Sequence, residues 1–364
     1  MKGKVAVCSA PLKELEIREY PVPEVGAEDL LVKVRRANIC GSDLHMWSGH
    51  GPAVPPGLLR VLGHEMMGEV YRLGKQVQRD CLGQPLTEGD RIVFAYFVPC
   101  GACAACFDGS PACPNRYRYW LGQSVDTPPH FRGAYGEYYY LRRGQIFCKV
   151  PPELSDTMVS AVNCALCEAL YGLDQIGIRL GDTVVIQGAG GLGLYATALA
   201  KELGAGQVIV LGRRPDRLAL AQAFGADLTL SSEELTEEER RALIFDKTHG
   251  RGADVVAEFM GSPGAVEEGV RLLRPAGRYL WVGNITPGLS SRLDPGTVVR
   301  LAQTVKGVIA YAPWVLPRAL DFLVRYRHAY PFERIISHTF PFAEINTAFA
   351  CASEGKAVRV SIAL

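Results

Sequence analysis

The chain has 364 residues, 48% of them hydrophobic and 21% charged, with 39 basic against 38 acidic side chains and a net charge of +1. That length suits two domains, each burying its own core, and the balanced charge argues against nucleic acid or an anionic membrane surface as the main partner. No apolar run reaches the roughly 18–20 residues that cross a bilayer, the opening stretch MKGKVAVCSAPLKELEIREY has no apolar signal core, and eleven cysteines, an odd number, suit reduced thiols and metal ligands better than a disulfide framework, so a cytoplasmic protein is expected.

Residues 1–155 read as an irregular β domain. Short β-branched runs (Leu30–Val34, Gly68–Leu73, Arg91–Phe94, Gly136–Leu141) alternate with Gly and Pro punctuation. Two motifs in this region carry groups able to hold a metal: Cys40-Gly-Ser42-Asp43-Leu-His45 and Gly63-His64-Glu65. Next comes Cys100-x2-Cys103-x2-Cys106-x6-Cys113. Four thiolates on short loops make a closed tetrahedral Zn²⁺ site, which organises a lobe but leaves no open position for chemistry. The loop from Pro114 to Gly133 carries Tyr117, Tyr119, Trp120, His130 and Phe131, read as packing or interface residues. At the domain junction, Asn163-Cys164-Ala-Leu-Cys167-Glu168 offers two further thiols. A thiolate, an imidazole and a second thiolate form a three-ligand zinc site with a fourth position open to water or substrate.

From Thr183 the rhythm changes to strand–helix alternation: TVVIQ, a helix to Leu203, QVIVL, a helix Asp216–Phe224, DLTL, a helix Glu233–Leu243, DVVAEF, a helix Ala265–Leu273 and RYLWVG. This is the pattern of a doubly wound parallel sheet, expected over 156–304. Gly188-Ala-Gly190-Gly191-Leu192-Gly193 follows the first strand and opens the first helix, the context that gives G-x-G-x-x-G its meaning as a dinucleotide site. The helix N-terminus offers free N–H groups to the phosphates. The second strand ends in Gly212-Arg213-Arg214, with no carboxylate where an NAD site would hold the ribose, so NADP is favoured, with NAD as the alternative. The charge run SEELTEEERRAL reads as a solvated helix face. Residues 305–364 end in a strand, GKAVRVSIAL, expected to return to the first domain.

Together these motifs resemble the zinc-dependent medium-chain alcohol dehydrogenases. Gly63-His64-Glu65-x2-Gly68-x5-Gly74-x2-Val77 matches that family's zinc signature at every position, and the cysteine lobe, the glycine turn and the length agree, so the resemblance covers essentially the whole chain. One departure is the spacer before Cys113, with six residues where the family commonly has seven. The resemblance implies a GroES-like catalytic domain and a Rossmann domain in an α/β chain, assembled as a homodimer or homotetramer. It implies two zinc ions: a catalytic one on Cys40, His64 and Cys164, with Cys167 as the rival third ligand, and a structural one on Cys100, Cys103, Cys106 and Cys113. It assigns Glu65 as a carboxylate close to the metal, Asp43 as the group orienting His64, Ser42 as the acceptor of the alcohol proton, His45 as its outlet, and Arg359 as a pyrophosphate ligand. The implied reaction is hydride transfer between a small alcohol or ketone and a nicotinamide cofactor. Trp47, Tyr96, Trp120 and Leu121 lean towards a secondary, apolar or cyclic substrate; a sugar or polyol is the alternative. A quinone or enone reductase of this fold would have no reason to carry Cys40, His64 and Ser42, and a nucleic-acid-binding zinc ribbon would want a basic face.

Overall fold

The computed structural model describes residues 1–50, 55, 57–118, 123–283 and 288–364; Tyr119, Trp120 and Leu121 lie outside them. The chain divides into two units: Met1–Cys164 with Ala312–Arg327 and Phe332–Leu364, and Ala165–Tyr311 with His328–Pro331. The boundaries differ from the expected 155/156 and 304/305. The strand Thr304–Gly307 pairs with Leu273–Trp281, which draws residues after 304 into the second unit, while the helix Asp156–Val159 is tied into the first by the pairs Asp156–Arg35 and Asp156–Arg91.

The first unit is built on a mostly antiparallel sheet in the order Phe147–Lys149, Arg91–Phe94, Glu65–Leu73, Leu30–Ile39, Val360–Ala363 and His338–Pro341, with Tyr138–Leu141 also pairing Leu30–Ile39. The tail strand therefore does return to this unit. Leu30–Ile39 is buried at both ends because it is covered by strands on either side, and its register shifts at Leu31/Val32 and Val34/Arg36 mark the bends that let one strand serve several partners. Two pairings bring strand ends together: Asn38 faces Glu65, and Val360 faces Ile39. Residues 40, 64–65 and 359 thus converge, although they lie far apart in the sequence. Phe131 and His130 are buried, Phe131 edge-on to Tyr138 and His130 stacked on Tyr20, in keeping with packing roles.

The second unit is a six-stranded parallel sheet in the order Leu228–Ser231, Gln207–Gly212, Thr183–Gln187, Ala253–Glu258, Leu273–Trp281 and Thr304–Gly307. The strand Thr183–Gln187 is buried throughout, as a central parallel strand must be, and Val185, Ile209, Val256, Val270 and Tyr279 share one core. The helix expected at 233–243 runs Glu237–Lys247 instead, because Thr236 caps it: its hydroxyl accepts from the N–H of Glu239, whose carboxylate accepts from the N–H of Thr236. Nor is this helix wholly solvated. Arg240 is buried and pairs with Glu268 at 2.7 Å. No helix among the described residues is long and apolar enough to cross a membrane.

Candidate active site

Cys40 stands between the strand Leu30–Ile39 and the helix Gly41–Trp47, and His64 immediately precedes the strand Glu65–Leu73, so strand pairing sets thiol and imidazole side by side. Cys164 comes from the π-helical turn Val162–Leu166, an uncommon geometry that often marks functional positions. Its Sγ lies 3.5 Å from Nε2 of His64. Cys40, His64, Glu65 and Cys164 each offer a donor atom within 4.8 Å of the others. Cys167 is not in this group: it falls in the second unit, where burial pushes its thiol well up and Tyr311 supplies a hydrogen bond.

The surroundings prepare these groups for a cation. Burial opposes a charge on His64, but Asp43 outweighs it: its Oδ1 lies 3.1 Å from Nδ1 of His64 and holds the imidazole pKa well above its ordinary value. That bond leaves Nε2 aimed at Cys164 and at Ser42, whose Oγ is 3.5 Å away. Asp43 is fully buried, and its Oδ2 accepts from the Cys40 N–H at 3.0 Å and from the Tyr135 hydroxyl at 2.9 Å. The hydrogen bond from Cys164, with His64 and Arg359 adding, draws the Cys40 thiol well below its usual range despite burial. Thiolate is the metal-ligating form. Burial raises the Glu65 carboxyl to about 7, and its Oε1 is buried with no hydrogen-bond partner among the described residues. An orphaned carboxylate oxygen beside two thiols and an imidazole fits a bound zinc ion.

Arg359 lies beside Glu65 in the first unit. It is buried, and its Nη1 bonds Oε2 of Glu65, because a carboxylate taken out of water needs a counter-charge. Ser42 and His45 share one short helix, Ser42 turned to His64 and His45 exposed. Tyr96 tilts against the His64 ring at 4.8 Å. Trp47 is engaged elsewhere, its indole N–H bonding the Lys13 carbonyl and its ring meeting Phe349. Two participants were not assigned from sequence. Tyr135 holds Asp43, and Asn163 donates to the carbonyls of His64 and Phe94 at 2.9 and 3.0 Å.

In the cysteine lobe the Sγ–Sγ distances are 3.5 Å for Cys100–Cys113 and Cys103–Cys106, and 3.8 Å for Cys100–Cys106 and Cys103–Cys113. These are far longer than a disulfide, and all four thiols are free. Sulfurs about 2.3 Å from a tetrahedrally held zinc stand about 3.8 Å apart, so the lobe has the dimensions of a four-thiolate zinc site.

In the second unit, Gly188 takes a positive φ of 112° and Gly190 opens the helix Gly191–Glu202. A Cβ at Gly193 would lie 1.7 Å from the Gly188 carbonyl oxygen, so only glycine lets the turn fold onto the helix. Gly191 is buried and Leu192 half-buried beside it. Gly212 ends its strand in a tight place, where a Cβ would meet Leu218 at 2.9 Å and Ala189 at 3.1 Å. Arg214 is engaged by Asp216 at 3.0 Å, whereas Arg213 is 69% exposed and only loosely paired with Glu233 at 3.7 Å.

Comparison with known proteins agrees with this geometry. A family model described as an alcohol dehydrogenase GroES-like domain matches residues 26–152, and one described as a zinc-binding dehydrogenase matches residues 191–325. The chain is 30% identical to 5-exo-hydroxycamphor dehydrogenase of Pseudomonas putida over 95% of its own length and 94% of that protein. It is 30% identical to erythritol/L-threitol dehydrogenase of Mycolicibacterium smegmatis, covering 99% and 97%. The crystal structure of an alcohol dehydrogenase from Thermotoga maritima superposes with a TM-score of 0.93 at 33% identity, covering 100% of this chain and 99% of that one. The chain is an oxidoreductase that belongs to the zinc-dependent medium-chain alcohol dehydrogenase family.

Proposed function

We propose that this protein is a two-zinc, NADP-preferring dehydrogenase that interconverts a secondary, apolar or cyclic alcohol and its ketone. The observation that carries the reading is the trio Cys40, His64 and Cys164 with Ser42 beside His64. Zinc held by that trio supplies a Lewis acid. Asp43 fixes the His64 tautomer and orientation, as partners behind a metal ligand do, and Tyr135 and the Cys40 N–H keep Asp43 in place. Ser42 Oγ takes up the alcohol proton and His45, on the exposed side of the same helix, passes it to water. Tyr96 presents an aromatic wall at the imidazole. In the second unit, the turn Gly188–Gly193 and the helix it opens cradle the pyrophosphate. Arg213, the less engaged of the two arginines, grips a ribose 2′-phosphate. A charge-assisted hydrogen bond contributes roughly 1.5–3 kcal/mol, reduced by exposure, so the NADP preference is about tenfold.

A polyol substrate is the second reading, favoured by the likeness to the erythritol/L-threitol enzyme. Assays of kcat/KM across cyclic secondary alcohols, their ketones and polyols, with NADP and NAD, separate the two. Faster turnover of polyols overturns the apolar assignment, and a ratio favouring NAD overturns the role of Arg213, which Arg213→Ser tests directly. Metal analysis is expected to give two zinc ions per chain, and one each in Cys103→Ser and His64→Ala. His64→Ala is expected to fold but not to turn over. A single zinc that survives in Cys103→Ser and is lost in His64→Ala would refute the structural site.

A further inference from the structure

Two thiols outside both metal sites stand together on the first unit's sheet. Cys148 is fully buried in the strand Phe147–Lys149, opposite Val93 on one side. On its other side the chain at Asp80-Cys81 is laid along the strand by two anchors: the Cys81 N–H donates to the Phe147 carbonyl at 3.0 Å, and the Lys149 N–H donates to the Asp80 carboxylate at 3.0 Å. The anchors bracket Cys148 and hold Cys81 abreast of it. Asp80 is itself fixed by the N–H groups of Leu82 and Gln84, both at 2.9 Å, so the turn that carries Cys81 is built to keep its place. Cys81 is exposed, whereas its neighbour is not.

We propose that Cys81 and Cys148 form a reactive thiol pair, an exposed attacking cysteine and a buried resolving one, that closes to a disulfide by exchange with a low-molecular-weight disulfide. A hydrogen bond from the Cys148 thiol draws the Cys81 thiol below its ordinary range, outweighing burial and the nearby Asp80 carboxylate. This favours the thiolate that attacks. In the first step the Cys81 thiolate forms a bond to one sulfur of the small disulfide, whose S–S bond breaks and expels one thiolate. In the second, Cys148 loses its proton and attacks the Cys81 sulfur, expelling the other thiolate. The protein's two thiols are oxidised, the small disulfide is reduced to two thiols, and the two protein protons end on those thiols. Cys148 needs no access to solvent, because its target arrives on Cys81.

The test treats the zinc-loaded full-length protein with oxidised glutathione, quenches it with iodoacetamide in denaturant and maps its peptides without reduction. The expected product is a Cys81–Cys148 cross-link without retained glutathione. In Cys148→Ser the reaction stops with glutathione on Cys81, and in Cys81→Ser neither cross-link nor adduct forms at this pair. The unmodified protein decides by itself should Cys148→Ser fail to fold. Glutathione held on Cys81 with Cys148 alkylated, or oxidation confined to Cys351 or the cysteine lobe, overturns the proposal.

Discussion

Ser42 and His45 sit three positions apart on one short helix, but only Ser42 faces the imidazole. Ser42→Ala is therefore expected to lower kcat/KM by roughly 10²–10⁴-fold, the usual contribution of an inner proton-transfer group. His45→Gln costs far less, because water reaches an exposed position. Equal, small losses would show that the proton leaves by another route. Tyr135 is a positioning residue: its hydroxyl is one of the bonds that keep the Asp43 carboxylate aimed at His64. Tyr135→Phe leaves Asp43 short of a partner, and zinc affinity falls about 10–100-fold, as for other groups behind metal ligands. A competitive chelator titration reads that loss, and unchanged zinc retention would assign Tyr135 to packing alone. The donors that converge here, Cys40, His64 and Cys164, were singled out in sequence through the family resemblance, with Cys167 as a rival that the fold leaves outside the cluster. Tyr135 and Asn163 were not, since their hydrogen bonds join residues nearly a hundred positions apart. The same holds for Arg359, whose partner Glu65 becomes its neighbour only through the pairing of Val360 with Ile39.

Elements were readable in proportion to how local their causes are. The parallel-sheet strands announced themselves by β-branched runs, and the glycine turn by its place between strand and helix. The helix at Glu237–Lys247 was displaced from its expected start by a capping box written in the sequence as Thr236-Glu237-Glu238-Glu239. The short helix Asp156–Val159 shows what sequence hides: Asp156 bonds Arg91 at 2.9 Å and Arg35 at 2.7 Å, clamping the segment before Cys164 to two strands. Burial opposes ionisation of Asp156, but the two guanidinium groups win and hold its carboxyl below the usual range. A carboxyl depressed in the folded state stabilises above its unfolded pKa, about 4, and loses that contribution as pH falls through the folded value. With partial exposure discounted, the clamp contributes on the order of 1 kcal/mol. Asp156→Asn should thus melt below the parent at neutral pH, with the gap closing under pH 4. A gap independent of pH would point to lost packing rather than charge.

At the scale of the whole molecule, both donor clusters among the described residues belong to the first unit. Metal removal should therefore loosen residues 1–164 while leaving 165–311 as protected as before. Hydrogen exchange on chelated and zinc-loaded protein reads this segment by segment, and a uniform rise in exchange would mean that the metals stabilise both units alike. The tail strand Val360–Ala363, seated between Leu30–Ile39 and His338–Pro341, has a consequence for the order of events during translation. Every residue of 165–311 leaves the ribosome before that strand does, although the unit the strand completes also holds residues made earlier still. Domains fold as units while the chain emerges, so the nucleotide-binding unit matures first. The first unit therefore gains its Glu65–Arg359 pair only after residues 359–363 have been made.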